Sequence, residues 1–342
     1  MATSERRDII KQLETKLNAK ILTLVTGDRQ GMETRIAPDI LSLVSEHLAS
    51  MKVTKELALF LYTSGGDTTV GWGLVNLLRQ YCERLVVLVP FRALSCGTLI
   101  ALGADDIVMG KHGLLSPVDP SVSSPFNPPV PGGQPGMLSL LPVSVEDMIG
   151  FLDLARKEIG LKTEESMTSV LNILAKKVHP LALGAVYRAR EQTGDLAKRL
   201  MKKHFDDEAK IDRITMRLTQ ELPTHNYLIG RAEAETIELG VSAPLEEVEQ
   251  LMWQLYKEYE NWLKLTNPFS AELDLGTETK KRVRYERAAI ESVSDDTLFQ
   301  HVFLADNELV RGPSTPQSPV GQAMIRILFM GWVACKNGEV LK

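Results

Sequence analysis

The chain has 342 residues, of which 44% are hydrophobic and 24% charged, and its formal net charge is −5. That length accommodates one sizeable α/β core with additions, or two domains, and the composition is globular rather than disordered or fibrous. The charge gives no reason to expect a nucleic acid or an anionic membrane as partner. Three cysteines, Cys82, Cys96 and Cys335, stand at no metal-ligand spacing and argue against a disulfide framework or a zinc site.

In chain order, Ile9, Ile10, Leu13 and Leu17 form an apolar stripe that predicts an N-terminal helix over residues 1–19. Residues 20–26 (KILTLVT) read as a short buried strand, and residues 39–51 as an amphipathic helix with Pro38 near its first turn. An apolar run at 57–62 (LALFLY) leads into Thr63-Ser64-Gly65-Gly66-Asp67, and 70–81 has helical spacing. A second apolar run, 84–90 (RLVVLVP), is followed by a turn and by Ser95-Cys96-Gly97-Thr98, with a buried helix continuing to Gly103 and one more strand at 106–109. Strands alternating with helices imply βαβ units and a largely parallel sheet. Residues 115–142 are rich in Pro, Gly and Ser and read as a long loop, of the kind that is usually functional or mobile.

Residues 144–221 are mostly helical in pattern, and 224–240 resemble a strand with a closing helix. From Pro244 a helix carries Trp253, Tyr256, Tyr259 and Trp262, aromatic positions suited to packing or to a subunit contact. A mixed tail follows, in which Lys280, Lys281, Arg282, Arg284 and Arg287 read as a solvated helix face. The charged N-terminus has no signal-peptide core, and 323–335 is shorter than the roughly 20 residues a span needs and contains Arg326. A cytoplasmic protein without a transmembrane segment is the expectation.

Two turns carry the chemistry. In Ser64-Gly65-Gly66-Asp67, two glycines let the backbone turn sharply and present N–H groups to a phosphate or an oxyanion, although a plain tight turn would look the same. Ser95, between a strand and a helix, reads either as an N-cap or as a hydroxyl presented at a helix N-terminus. Neighbouring parallel strands would bring both turns to one sheet edge, where α/β sites form, and the N–H groups of Gly66 and Cys96 could then flank one oxyanion position.

These segments resemble a known family. Ser64 to Gly71 (SGGDTTVG) is similar to the glycine-rich segment of Clp proteases and signal-peptide-peptidase relatives, and Arg92 to Asp105 (RALSCGTLIALGAD) to their nucleophile segment. The chain most resembles the serine dehydrogenase proteinase family, which it also matches at Gly113 to Pro120 (GLLSPVDP) and at Thr224 to Ile229 (THNYLI). The resemblance implies an α/β Clp/crotonase-like fold of repeated βαβ units with helical additions. Residues 1–245 would form the peptidase domain, and 246–342 a C-terminal extension, helical then mixed, for oligomerisation or partner binding. It implies a serine peptidase acting on a peptide or protein substrate, with Ser95, Asp119 and His225 as triad, Gly66 and Cys96 as oxyanion donors, and a homo-oligomeric state. No cofactor or metal is implied.

The sequence departs from the family at Cys96, where relatives commonly have Gly, so that a side chain could narrow the oxyanion pocket. Alternatives are a Ser-Lys dyad (Lys111, Lys157, Lys162, Lys176 or Lys177), Ser64 as nucleophile, and His112 as a weaker base. A crotonase-type acyl-CoA enzyme using Asp67 and Asp119, or a non-catalytic Clp-like scaffold, would share the fold.

Overall fold

The computed structural model describes residues 2–53, 55–118, 121–122, 125–128, 143–222, 224, 226–313 and 321–341. The chain divides into two compact units, one formed by residues 1–115 and 229–342, the other by 116–228.

The first unit opens with α1 (Ala2–Leu17) and β1 (Lys20–Thr26), followed by α2 (Ile40–Met51), β2 (Glu56–Tyr62), α3 (Thr68–Leu78), β3 (Arg84–Val89), α4 (Cys96–Ala101), β4 (Asp106–Met109) and the short β5 (Leu114–Leu115). The apolar runs read from the sequence become β1 to β4, whose residues are buried almost throughout. A strand buried on both faces carries no polar alternation, which is why each reads as a continuous apolar run.

The second unit holds the short strands β6 (Ser121–Val122) and β7 (Val143–Ser144). Its helices are α5 (Val145–Asp153), α6 (Glu164–Lys177), α7 (Pro180–Met201) and α8 (Glu208–Met216). Side-chain caps start three of them: Thr163 receives Ser166 N–H, His179 receives Leu181 N–H ahead of Pro180, and Asp207 receives Lys210 N–H.

The chain re-enters the first unit with β8 (Ile229–Gly230), α9 (Arg231–Thr236), β9 (Val241–Ser242) and α10 (Glu246–Leu263). It ends in α11 (Ala271–Leu275) and the strands β10 (Lys280–Ser294), β11 (Thr297–Arg311), β12 (Ala323–Lys336) and β13 (Glu339–Val340). The sheet runs β13-β12-β11-β10-β1-β2-β3-β4-β9. Strands β1, β2, β3, β4 and β9 pair in parallel, and β10 to β13 extend the sheet antiparallel from β1.

Successive residues of a strand face opposite sides, and two neighbours on β10 show what covers each. Glu291 accepts hydrogen bonds from Arg6 of α1 and Tyr259 of α10, while the hydroxyl of Ser292 lies 2.7 Å from Nδ1 of His47 on α2. Helices α1 and α10 therefore cover one face and α2 the other, giving a three-layer α/β unit.

One reading of the C-terminal part needs correction. The basic cluster from Lys280 to Arg287 lies on strand β10, not on a helix, and its charges are answered across the sheet. Lys280 pairs with Glu308 at 2.7 Å, and Arg282 donates to Asp306 at 3.0 Å. Partners that far along the chain leave no mark on local periodicity. The aromatic face of α10 packs inward, the first of its two readings: Tyr256 and Tyr259 are buried against β2 and β10, with the half-buried Trp253 and Trp262 packed beside them. No helix among the described residues is long and apolar enough to cross a membrane.

Candidate active site

The turns that follow β1, β2 and β3 do not splay apart but continue the sheet as a second, shorter ladder. Ile36 bridges Gly66, Thr63 bridges Ala93, and Arg92 bridges Leu114, which in turn pairs with Gly230. Backbone bonds fix each step: Thr63 N–H donates to Arg92 at 2.9 Å, Leu94 N–H to Thr63 at 3.0 Å, and Ala93 N–H to Leu114 at 2.9 Å. The two chemistry-bearing turns are thus hydrogen-bonded side by side at the C-terminal edge of the parallel strands, where α/β proteins bind ligands.

Ser95 occupies the elbow between β3 and α4, with φ 52° and ψ −111° and 9% of its surface exposed. Its side chain makes no cap bond to α4, so the plain N-cap reading loses its physical basis. Gly65 presses directly on it. A Cβ built at Gly65 (φ +114°) would fall 2.9 Å from Ser95 Cβ and 3.3 Å from its Oγ. Gly66 (φ +155°) lies so close to Ile36 that an added Cβ would meet its backbone nitrogen at 2.5 Å. Both glycines are required by contact as well as by conformation.

Neither the Gly66 nor the Cys96 N–H donates to another described residue. The Cys96 side chain is fully buried and its thiol donates to the Asp67 carbonyl at 3.1 Å. Burial, with Asp67 nearby, pushes that thiol up to about 12. The side chain thus packs inward, and the narrowing expected from a non-glycine residue here finds no support.

Other candidates are accounted for locally. The carboxylate of Asp67 caps α3, accepting from Thr69 N–H at 2.8 Å and Val70 N–H at 3.3 Å. Lys111, Lys157, Lys162, Lys176 and Lys177 are all exposed, Lys111 pairing with Glu249 and Lys157 with Asp153. His112 packs on Trp253 with ring centroids 4.3 Å apart. Asp119 and His225 lie outside the described residues.

Some residues at this edge had no role assigned from sequence. Thr63 pins the double-glycine turn: its hydroxyl accepts Gly65 N–H at 3.0 Å and the Thr26 hydroxyl at 2.7 Å. Asp28 accepts from Tyr62 at 2.7 Å and from Arg92 at 2.8 Å, tying the ends of β1 and β2 to the residue three before Ser95. Burial, and then the facing Asp28 carboxylate, hold the Tyr62 hydroxyl far above its ordinary value, so it stays a donor. The legible signal was position alone, since Thr63 directly precedes the double-glycine motif and Arg92 opens the segment that carries Ser95.

Parallel strands deliver a double-glycine turn and a tightly held serine to one edge of a ClpP-like α/β fold. Residues 1–131 match the family of ClpP-like SDH-type serine proteinases, so the resemblance read from the sequence is borne out over that range. Two uncharacterized proteins of Methanocaldococcus jannaschii are similar over most of their length. One is 25% identical across 74% of this chain and 79% of its own, the other 24% identical across 72% and 75%. A mutant of a membrane-bound stomatin-specific protease superposes with TM-score 0.36 at 13% identity, covering 64% of this chain and 79% of that one.

Proposed function

We propose that the protein is a serine endopeptidase of the Clp and signal-peptide-peptidase-like group. Ser95 Oγ attacks a peptide carbonyl while His225 takes its proton and later returns it to the leaving amine. Asp119 orients the imidazole and stabilises its cation, and the Gly66 and Cys96 N–H groups hold the oxyanion. Water then hydrolyses the acyl-serine by the same route. The observation that carries this reading is the Ser95 elbow, held against Gly65 in a conformation that capping does not explain. The family match over residues 1–131 supports the same class, while the roles of Asp119 and His225 rest on the sequence resemblance. Three free cysteines fit a reducing, cytoplasmic setting, and a homo-oligomeric state belongs to the same reading.

The exposure of all five lysines favours the histidine base over a lysine dyad. The acyl-CoA alternative loses Asp67, whose carboxylate is engaged as a helix cap.

A fluorophosphonate probe tests the proposal on the intact chain. Labelling should occur in the wild type, vanish in Ser95→Ala and fall at least about 10²-fold in His225→Ala, the scale of a lost general base. A folded wild type that never labels, or labelling that survives Ser95→Ala, would sink it. Normal labelling of His225→Ala would remove the base assignment alone.

A further inference from the structure

Two arginines among the described residues are buried, Arg6 and Arg29, and their surroundings differ. Arg6 meets a carboxylate, that of Glu291, with Nε and Nη2. Arg29, 7% exposed, meets none. Its Nε donates to the Asn267 carbonyl at 2.8 Å, and its guanidinium carbon lies 5.8 Å from the ring centre of Phe269 and 5.5 Å from that of Tyr285. Of the five N–H donors a guanidinium carries, that engages one. The others, on Nη1 and Nη2, have no acceptor among the described residues, and both nitrogens reach the little surface the side chain keeps.

The carboxylates adjoining it along the chain or through the two rings are committed elsewhere. Asp28 accepts from Tyr62 and Arg92, Glu33 from Gly31 N–H at 2.9 Å, and Asp274 from the Tyr285 hydroxyl at 2.6 Å. The loop that carries Arg29 is held on both sides: Met32 N–H returns to the Arg29 carbonyl at 2.8 Å, Thr34 N–H to Gly27 at 2.8 Å, and Phe269 N–H donates to Gln30 at 2.9 Å. Burying a cation without a counter-charge costs stability, and the faces of two aromatic rings offset only part of it. A guanidinium fixed in this way is stabilised as soon as an anion reaches Nη1 and Nη2.

We propose that Arg29 is a binding site for a small oxyanion, a carboxylate or a phosphate group, seated on Nη1 and Nη2 beside Phe269 and Tyr285. The planar fork of a guanidinium matches two oxygens of either group, a match that chloride cannot make. So little exposed surface admits a single headgroup, not an extended partner. A formal net charge of −5 supplies no general attraction for anions, so the binding depends on this one cation. The site stands beyond the C-terminal end of β1, on the loop whose far end, Ile36, donates its N–H to the Gly65 carbonyl at 3.0 Å. An anion on Arg29 therefore braces the loop that supports the double-glycine turn. Its binding is independent of the peptidase chemistry proposed above.

The test is calorimetric titration of the full chain with sodium phosphate and, separately, with sodium acetate, in chloride buffer at constant ionic strength. Wild type should bind at least one of them at one site per chain, with a Kd below about 10 mM. Phosphate alone assigns a phosphate group, acetate alone a carboxylate, and both together the oxyanion chemistry they share. Arg29→Gln, which removes charge and fork, should bind at least about 10-fold more weakly, and Arg29→Lys, which keeps the charge alone, should fall between. In urea unfolding, the bound anion should stabilise wild type and leave Arg29→Met unchanged. Should Arg29→Gln not fold, Arg29→Lys carries the comparison. A wild type that binds neither anion at up to about 50 mM overturns the proposal whatever the variants do. Binding that the Arg29 variants retain at full strength also overturns it, because the anion then sits elsewhere on the chain.

Discussion

Replacing Gly65 by Ala is the sharpest perturbation of the Ser95 elbow that adds only a methyl group. The new Cβ would lie 2.9 Å from Ser95 Cβ, 3.1 Å from the Leu94 carbonyl oxygen and 3.3 Å from Ser95 Oγ. Carbon atoms settle at about 3.5–4.0 Å, so Ser95 must retreat by roughly 0.6 Å or more. The backbone adds its own cost, because φ +114° is a conformation that side-chain-bearing residues rarely adopt, at about 1–3 kcal/mol. Misplacing a reacting group by about 1 Å costs on the order of 10² in rate. Gly65→Ala should therefore lose about 1–3 kcal/mol of stability in urea, yet react with a fluorophosphonate some 10- to 100-fold more slowly while folded. Gly73→Ala is the control: on α3 its Cβ would meet only Leu41 Cδ1, at an ordinary 3.6 Å. That change should stabilise the protein by up to about 1 kcal/mol and leave labelling alone. If folded Gly65→Ala labels at the wild-type rate, the turn does not constrain the serine and the reasoning fails.

Two further outcomes follow from buried polar groups. Arg6, beneath Trp262 at 3.9 Å, donates to Glu291 at 2.9 and 3.0 Å with both side chains buried. Arg6→Met should cost about 3–5 kcal/mol in urea unfolding by stranding the carboxylate, and adding Glu291→Gln should recover part of that; a single variant within 1 kcal/mol of wild type refutes it. Burial, and then His301 at 3.1 Å, hold His47 down to about 3, so the fold excludes a proton that the unfolded chain binds below about 6.5. Stability contributed by neutral His47 is thus complete above about pH 6.5 and is lost as pH falls toward 3, by up to about 1.4 kcal/mol per pH unit; His47→Gln should flatten that slope, and an unchanged acid limb would refute the assignment.

The parallel half of the sheet was legible because burial on both faces removes polar alternation, leaving runs such as KILTLVT and LALFLY with sharp ends. The antiparallel half was not, since β10 starts with charges whose partners, Asp306 and Glu308, lie on another strand. Two of its turns, Asp295-Asp296 and Asn337-Gly338, are two-residue hairpin loops with positive φ throughout, and of these only Asn-Gly is a strong hairpin signal in sequence. The aromatic spacing of α10 identified a buried helix face without saying whether the sheet or another subunit buries it. In the site, Ser95 and the double-glycine turn could be paired from adjacent strands, whereas the hydroxyl of Thr63 that pins the turn depends on rotamers no pattern records.

What separates Ser95 from an ordinary cap is visible by contrast. Seven other non-glycine residues among those described have positive φ, and each has a local reason. Asn18 and Glu238 follow helix ends, and Lys52 and Lys264 are left-handed C-caps with ψ near 50° and 43°. Asp295, Asp296 and Asn337 sit in the two hairpin loops. Ser95 instead combines positive φ with ψ −111°, outside the left-handed helical well that Lys52 and Lys264 occupy, and it ends neither a helix nor a hairpin. Such a conformation persists only where its surroundings over-determine it. They do so here: Ala93 and Leu94 N–H groups are held by Leu114 and Thr63, Gly97 N–H returns to Leu94 at 2.8 Å, and the Thr98 hydroxyl donates to Ala93 at 3.0 Å. Fold stability is thus committed to holding one serine where capping gains nothing, and that expenditure is intelligible if its hydroxyl must meet a substrate carbonyl.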